Sequence, residues 1–299
     1  ILLFAISIGI FCLYQVFVSY DWQKIGEALQ KADFSLLFFG SIISIISYWF
    51  FRALRWQILL SKEDLQISFG KIYLITSVSV GLSTITPFQS GEALKVEYLK
   101  RYGADRFSGY GIFFLERFLD LLVVVGLGII GVSLSFNWQI LQNYLYLFAA
   151  VLVIGAILII LGVFWSPFPR LQPLRDWLKE RWQSKYQVLA AFILTMLSWL
   201  AVIVGWHFAL KSVSIEVDFV HSIAVVSLTT LLSILSFVPG AIGVSELSIS
   251  GILGKMGTSE SLAQTGAIAI RLYALMILLL TLLHWLILRF LTKKRENLS

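Results

Sequence analysis

The 299-residue chain carries too little charge to cover a soluble globule, since only 13% of its residues are charged and 59% are hydrophobic. Soluble domains carry roughly 25% charged residues, so soluble enzyme classes are excluded and an integral membrane protein is predicted. The net charge of +6 bears first on orientation in the membrane, and nucleic acid is not expected as a partner.

The beginning of the chain is predicted to form a membrane-spanning helix. Residues 1–20 are apolar and start without a Met or a basic region, which favours a spanning helix over a signal peptide. The single cysteine, Cys12, lies inside this run. It cannot form an intrachain disulfide, and a metal site built on paired thiolates is excluded.

Seven stretches of the chain lack Asp, Glu, Lys and Arg. They are residues 1–20, 34–51, 72–91, 121–169, 186–210, 219–245 and 272–288. Most are long enough to cross a bilayer, which takes about 20 helical residues. The fourth holds parts of two helices, with a turn predicted at Asn137, Gln139, Gln142 and Asn143. No ten-residue alternation typical of a barrel occurs, so an all-α polytopic fold with about eight hydrophobic segments is predicted.

Two stretches end in Pro and Gly where a simple spanning helix should continue. The residues that close the first are Thr84, Thr86, Pro87, Gln89, Ser90 and Gly91, and those that close the second are Ser236, Pro239, Gly240 and Gly243. Proline breaks a helix, and broken backbone at membrane depth is tolerated only where protein or a watery cavity satisfies it. Both breaks could be ordinary kinks or the tips of re-entrant hairpins.

The distribution of basic residues favours re-entrant hairpins, because Lys and Arg in short loops mark the cytoplasmic side. Basic clusters occur near residues 52–71, 95–106, 170–185 and 289–295. All four fall on one side only if the segments around Pro87 and Pro239 dip in and return, one from each face. The prediction is six full crossings in the inner (plasma) membrane, with both termini cytoplasmic.

The same topology predicts one domain, 1–299, built from an inverted repeat. Residues 1–136 form the first repeat and residues 137–292 the second. Pro87 and Gly91 precede Pro239 and Gly243 by equal intervals. Inverted repeats with discontinuous helices are typical of secondary transporters, whose sites form near the midplane.

Residues 171–187 are predicted to form an amphipathic helix on the cytoplasmic surface. Leu171, Leu174, Leu178 and Trp182 share one face, whereas Arg175 and Lys179 lie off it. A solvated connector between the repeats is the alternative. Arg52 and Arg55 are assigned to the membrane interface together with Arg175 and Lys179.

Six charged residues are predicted within the membrane, where an ionised side chain costs at least about 2.5–3.5 kcal/mol. They are Glu92, Glu116, Arg117, Asp120, Glu246 and Arg271. We expect them to line a substrate path, with Thr84, Thr86, Gln89 and Ser90 as neutral contacts and Pro87, Gly91, Pro239, Gly240 and Gly243 shaping the backbone.

Two alternatives stay open for these charges. Arg117 and Asp120, three residues apart, can pair within a structural network. Glu92 and Glu246 stand at helix starts, where they either cap the helix or mark positive ends that suit an anionic phosphate headgroup, with Arg117 and Arg271 as counter-charges. No catalytic, cofactor or metal site is predicted, since His207, His221 and His284 share no ligand spacing.

The chain resembles the lysylphosphatidylglycerol synthase transmembrane-region family, also described as flippase-like integral membrane proteins. The matching pieces are Arg52-Ala-Leu-Arg55-Trp56, Pro87-Phe-Gln-Ser-Gly91-Glu92, Glu116-Arg117-Phe-Leu-Asp120, Pro239-Gly-Ala-Ile-Gly243-Val-Ser-Glu246 and Arg271. The resemblance implies lipid translocation without lysyltransferase activity, which in the family belongs to a separate soluble domain. The family's first Pro-Gly motif often carries a basic residue where Gln89 and Ser90 stand, so the headgroup is expected to differ.

Three functions compete at this stage. The favoured one is a flippase for a phospholipid, aminoacyl-lipid, glycolipid or related lipid, with an anionic or aminoacylated headgroup. The second is a membrane-embedded enzyme acting on a lipid phosphate, with Glu116 or Glu246 as general base. The third is a scaffold for a separately encoded lipid-modifying enzyme. The oligomeric state is not predicted.

Overall fold

A computed structural model describes residues 2–61, 63, 65–103, 105–135, 139–165, 172–183 and 185–296, and all regular structure in these ranges is helical. The α-helices are α1 (Leu2–Ser19), α2 (Trp22–Gln30), α3 (Phe34–Leu60), α4 (Phe69–Ser83), α5 (Leu94–Lys100), α6 (Arg106–Ser135), α7 (Gln139–Trp165), α8 (Gln172–Gln183), α9 (Lys185–Ser212), α10 (Phe219–Ser236), α11 (Val244–Lys255) and α12 (Glu260–Glu296). Two 3₁₀ segments, Pro87–Ala93 and Pro239–Ala241, precede α5 and α11.

Six of the described helices are long and apolar enough to cross a membrane, namely α3, α6, α7, α9, α10 and α12. A seventh span results if α1 and α2, which meet at a 76° bend, count as one. The all-α multi-pass prediction is therefore confirmed. The predicted set of six differs in membership, because it included residues 1–20 and treated α10 as half of a hairpin.

The interior is built from three helix pairs in close contact. Helix α3 packs along α9, where a Cβ added to Gly205 would lie 2.2 Å from Ser44 Oγ. Helix α6 packs on α10 through Gly131, and α4 packs on α12 through Gly81. Small residues at such crossings let helix backbones approach where lipid offers no hydrophobic driving force.

Helix α7 lies at the periphery. Only Leu145 and Val163 of its 27 residues are buried among those described, and it packs mainly on α6. Of the residues predicted to form the turn before it, Asn137 lies outside the described residues. Gln139, Gln142 and Asn143, which were assigned to that turn, are instead in the first turns of α7.

The two predicted helix breaks are present. We call residues 69–100 the first broken segment and residues 219–255 the second. Helix α4 ends at Ser83 before Pro87, and α10 ends at Ser236, where Phe237 takes a left-handed conformation before Pro239. A Cβ added to Gly240 would lie 3.4 Å from the Thr84 carbonyl oxygen, so the two breaks meet.

Glycine is required at two positions, one at each break. At Gly91 a Cβ would lie 2.6 Å from the Ser83 nitrogen, so the 3₁₀ segment folds tightly back on the end of α4. Gly243 has φ +81, and a Cβ there would lie 2.4 Å from the Leu13 nitrogen of α1. Pro and Gly therefore shape the backbone as predicted, and the second broken segment also packs against α1.

The predicted 171–187 helix is shorter than expected. Helix α8 covers Gln172–Gln183, and Lys185 already begins the spanning helix α9; residues 171 and 184 lie outside the described residues. Lys179 is exposed and Arg175 is half-buried on α8, and Trp177 packs against Gly111 of α6. Its place on the cytoplasmic surface stays a prediction.

Replacing Gly131 with alanine tests the α6–α10 contact. The new Cβ would lie 2.7 Å from the Ala224 backbone nitrogen, so Gly131→Ala should lower the free energy of unfolding by about 1–3 kcal/mol. Gly126→Ala in the same helix is the matched control: nothing lies within 4 Å of its Cβ, and alanine should stabilise the helix by up to about 1 kcal/mol. Unfolding in detergent micelles measures both; equal stabilities would contradict this packing.

Candidate functional site

The described residues include a network of seven buried or mostly buried charged side chains from three elements. They are Arg52 and Arg55 of α3, Glu92 and Lys95 of the first broken segment, and Glu116, Arg117 and Asp120 of α6. Arg52 and Arg55 lie three residues apart and Glu116 and Asp120 four apart, so each helix presents its charges on one face.

Arg52 links the first broken segment to α6. Its Nη2 donates to both Glu92 carboxylate oxygens, at 2.7 and 2.8 Å. The same guanidinium donates to Asp120 at 3.0 and 3.2 Å. Arg117 closes the triangle, because its Nη2 donates to Glu92 at 2.7 Å and also to Asp120.

Arg55 and Lys95 complete the network on its other side. Arg55 donates to Asp120 at 2.7 Å, to Glu116 at 3.1 Å and to the Thr195 hydroxyl of α9 at 2.9 Å. Lys95 lies 3.3 Å from Glu92 and 3.2 Å from Glu116, with its ammonium over the Trp56 ring. Four elements of the chain are thereby joined through charged hydrogen bonds.

The network holds four cations and three carboxylates among the described residues, so it carries one surplus positive charge when all are ionised. Arg117 is the most accessible of the seven, at 18% side-chain exposure; Asp120 follows at 7% and the rest lie at 2% or less. Desolvating such groups is costly, and only mutual pairing with good geometry offsets the cost.

Two of the predicted assignments are wrong here. Arg52 and Arg55 were placed at the membrane interface, but they are 1% and 0% exposed and lie inside the network. Lys95, counted as part of a cytoplasmic basic cluster, is buried as well. The missed signal was the three-residue spacing of two arginines at the end of an otherwise uncharged helix. Arg117 and Asp120, whose spacing allows them to pair, form an ion pair in the structure.

A second, smaller charged pair fastens the second broken segment. Glu246 accepts from the Gly243 amide at 2.8 Å and the Ser245 hydroxyl at 2.9 Å, so the helix-capping alternative holds for this residue. Arg271 of α12 donates to Glu246 at 2.5 Å, to Ser245 at 2.5 Å and to the Gly240 carbonyl at 3.2 Å. Glu92, by contrast, is held by cations rather than by a helix start.

A cavity of about 210 Å³ lies where the two broken segments meet. Thr84 and Thr86 line it from the first segment and Gly240 and Ser245 from the second, with Arg271 beside them. Further polar or aromatic residues in its wall are Tyr48, Ser83, Trp199, Trp206, Thr229, Thr230, Ser233 and Tyr273. None of these further residues was predicted, because each lies on an apolar helix without a local motif.

The predicted path residues therefore separate into groups. Thr84, Thr86 and Arg271 line the cavity, whereas the four path charges of the network (Glu92, Glu116, Arg117 and Asp120) do not. Ser90 is exposed elsewhere, and the side chain of Gln89 lies outside the described residues. Network and cavity are connected by Tyr48, which lines the cavity and accepts a hydrogen bond from Arg52 at 3.2 Å.

Thr84 and Thr86 also support the backbone at the first break. The Thr86 hydroxyl accepts from the Gly91 amide at 2.8 Å, and the Thr84 hydroxyl donates to the Gly81 carbonyl at 2.6 Å. These bonds satisfy polar groups that the broken helix leaves open. Within the described ranges, no three His, Cys, Asp or Glu side chains are grouped to hold a metal ion.

The family model for the lysylphosphatidylglycerol synthase TM region matches residues 2–281. The chain belongs to this family. It is similar to a UPF0104 membrane protein of Pyrococcus horikoshii, with 21% identity covering 81% of this chain and 83% of that protein. A UPF0104 membrane protein of Archaeoglobus fulgidus is 23% identical, covering 75% of this chain and 77% of its own length.

Removing one carboxylate from the network should destabilise the protein strongly. Glu116→Gln leaves Arg55 and Lys95 short of a counter-charge, and breaking a buried pair costs about 3–5 kcal/mol. Detergent unfolding should show this loss, while Asp218→Asn, at a side chain 89% exposed, should change little.

A double variant checks that the loss comes from charge balance. Adding Lys95→Met to Glu116→Gln restores the original surplus of one positive charge. The double variant should therefore be more stable than the sum of the two single losses predicts. Additive losses would show that the two side chains do not interact as this geometry requires.

Proposed function

We propose that this member of the lysylphosphatidylglycerol synthase TM region family is a lipid transporter that moves a membrane lipid between leaflets. The headgroup passes through the cavity between the two broken segments while the acyl tails stay in lipid. The observation that carries this proposal is the position of the cavity: hydroxyl groups and Arg271 converge where two helices of a hydrophobic protein are broken. Broken helices around a polar cavity are the usual site architecture of secondary transporters.

The proposal includes the re-entrant, inverted-repeat topology. The packing of α4 on α12 and of α10 on α6 is reciprocal, since each broken segment contacts the last long helix of the other half. This reciprocal packing supports two related halves, 1–136 and 137–292, of opposite orientation. Both termini then lie in the cytoplasm of a cell whose inner membrane holds the protein.

The two segments differ in how firmly they are held, which suggests how access alternates. The first is tied to α3 and α6 through Glu92 and Lys95, both nearly inaccessible. Among the described residues, the ion pair that joins the second segment to another helix is Glu246–Arg271, in which Arg271 is 26% exposed. We therefore assign the first segment to a fixed half and the second to the half that moves.

No catalytic step is part of the proposal. The carboxylates considered as general bases, Glu116 and Glu246, are each occupied by an arginine and further donors. A general base must lie within hydrogen-bond reach of the proton that it removes, and both carboxylates already accept hydrogen bonds from these donors. A separately encoded lipid-modifying enzyme that supplies or consumes the lipid is compatible with this role.

Reconstitution tests transport directly. Purified protein in phosphatidylcholine vesicles should move fluorescent lipids of at least one headgroup class between leaflets, measured by dithionite quenching, faster than protein-free vesicles. No movement of any class, while an active relative works under the same conditions, would contradict the proposal. Chemical conversion of the lipid in detergent, where there are no leaflets, would support an enzyme instead.

Cross-linking the two breaks should stop transport reversibly. Because Cys12 is the only cysteine, a Cys12→Ser background allows new cysteines at Thr84 and Gly240, whose backbones lie close together. A short, reducible bifunctional thiol reagent should lower the transport rate of the double variant at least tenfold, and reduction of the cross-link should restore the rate. Each single-cysteine variant treated in the same way is the control; transport that persists after complete cross-linking would rule out movement between the breaks.

A further inference from the structure

The wall of the cavity is rich in hydroxyl groups, and no carboxylate occurs among the described residues that line it. Seven of its residues are Ser or Thr and two are Tyr, namely Ser83, Thr84, Thr86, Thr229, Thr230, Ser233, Ser245, Tyr48 and Tyr273. Of the described residues in the wall, Arg271 alone is charged, and its partner Glu246 balances its charge. The described lining residues therefore offer both hydrogen-bond donors and acceptors, but no counter-charge for a cation.

Two polar atoms in residues of this wall lack partners among the described residues. The Thr229 hydroxyl and the Trp199 indole N–H are both inaccessible and make no hydrogen bond there, although their residues are only 2% and 6% exposed. Buried polar groups in native proteins are nearly always satisfied. A hydroxyl can donate and accept and an indole N–H only donates, so a ligand hydroxyl is a suitable partner for either.

The aromatic residues of the wall fit the same kind of ligand. Trp199 and Trp206 line the same cavity as Thr229 and Thr230. A sugar or polyol combines apolar C–H faces with many hydroxyl groups, and therefore matches this mixture. An ammonium group would lose its hydration without gaining a counter-charge, and Arg271 would repel it.

We propose that the transported lipid has a polyhydroxylated headgroup, a sugar or polyol, that carries no positive charge. This inference rests on the proposed transport function and narrows it, because it removes aminoacylated lipids from the expected substrates. Small movements of the Thr229 and Trp199 side chains open their covered, unpartnered groups to the headgroup hydroxyls. The remaining guanidinium N–H groups of Arg271 accommodate a neutral or anionic linkage. Selectivity comes chiefly from the absence of a carboxylate in the wall.

The test compares labelled lipids that differ mainly in the headgroup. Phosphatidylglycerol and its lysyl ester share the glycerol but differ in the cationic aminoacyl group, and monoglycosyl diacylglycerol supplies a neutral sugar. In reconstituted vesicles, phosphatidylglycerol or the glycolipid should cross at least tenfold faster than the lysyl ester. Equal or faster movement of the lysyl ester would overturn the inference while leaving the transport function intact. Failure of every lipid would instead overturn the transport function.

Two pairs of variants test the contact residues. Thr229→Val and Trp199→Phe each remove one unpartnered polar group from the cavity and should slow transfer of the preferred lipid at least fivefold. Thr76→Val and Trp49→Phe are matched controls, because they remove equally buried, unpartnered groups that do not line the cavity. Melting temperatures measured alongside separate folding from transport. Equal slowing in the controls would assign the loss to folding and contradict the proposed contacts.

A third variant adds the missing charge. Ser233 lines the cavity and is partly accessible, so Ser233→Asp places a carboxylate in the cavity wall. Its ratio of lysyl ester to phosphatidylglycerol transfer should rise at least tenfold relative to the unmodified protein. An unchanged ratio in a folded variant that still transports would show that wall charge does not set selectivity.

Discussion

The structure depends on one constraint: charges buried in a membrane protein must neutralise one another, because lipid offers neither water nor counter-ions. Arg52 and Asp120 lie at the centre of the charged network. Their ion pairs join α3, α6 and the 3₁₀ segment that follows Pro87. Removing a carboxylate leaves its cationic partners uncompensated, so the first broken segment is fixed by the same interactions that make its charges tolerable.

The cavity is next to this network but chemically distinct from it. Tyr48 is the bridge, since its hydroxyl accepts from Arg52 while its residue lines the cavity. The network supplies rigidity on one side, and the opposite side is closed by a segment that one partly accessible ion pair, Glu246–Arg271, holds to α12. The proposed transport requires such an asymmetry, because a polar path has to open without the whole bundle coming apart.

Local chemistry explains why part of this arrangement could be predicted from the sequence. Proline and glycine act on their own backbone, so both breaks are where the sequence placed them, and Arg117 pairs with Asp120 because the two are neighbours on one helix face. Arg52 and Lys95 were misplaced because their partners are remote along the chain or on another element, and charge in a loop-like position resembles an interfacial anchor. The cavity residues on α9 and α10 carry no local signal, since hydroxyl groups in apolar helices are common.

The central claim is that the first broken segment is fixed and the second moves. Hydrogen–deuterium exchange of the protein in lipid nanodiscs tests it most directly. Slow backbone exchange is expected at residues 87–95, where Glu92 and Lys95 pair with each other and with three other charged side chains, and faster exchange is expected at residues 238–246. Exchange at residues 87–95 that is as fast as, or faster than, exchange at residues 238–246 would contradict the account.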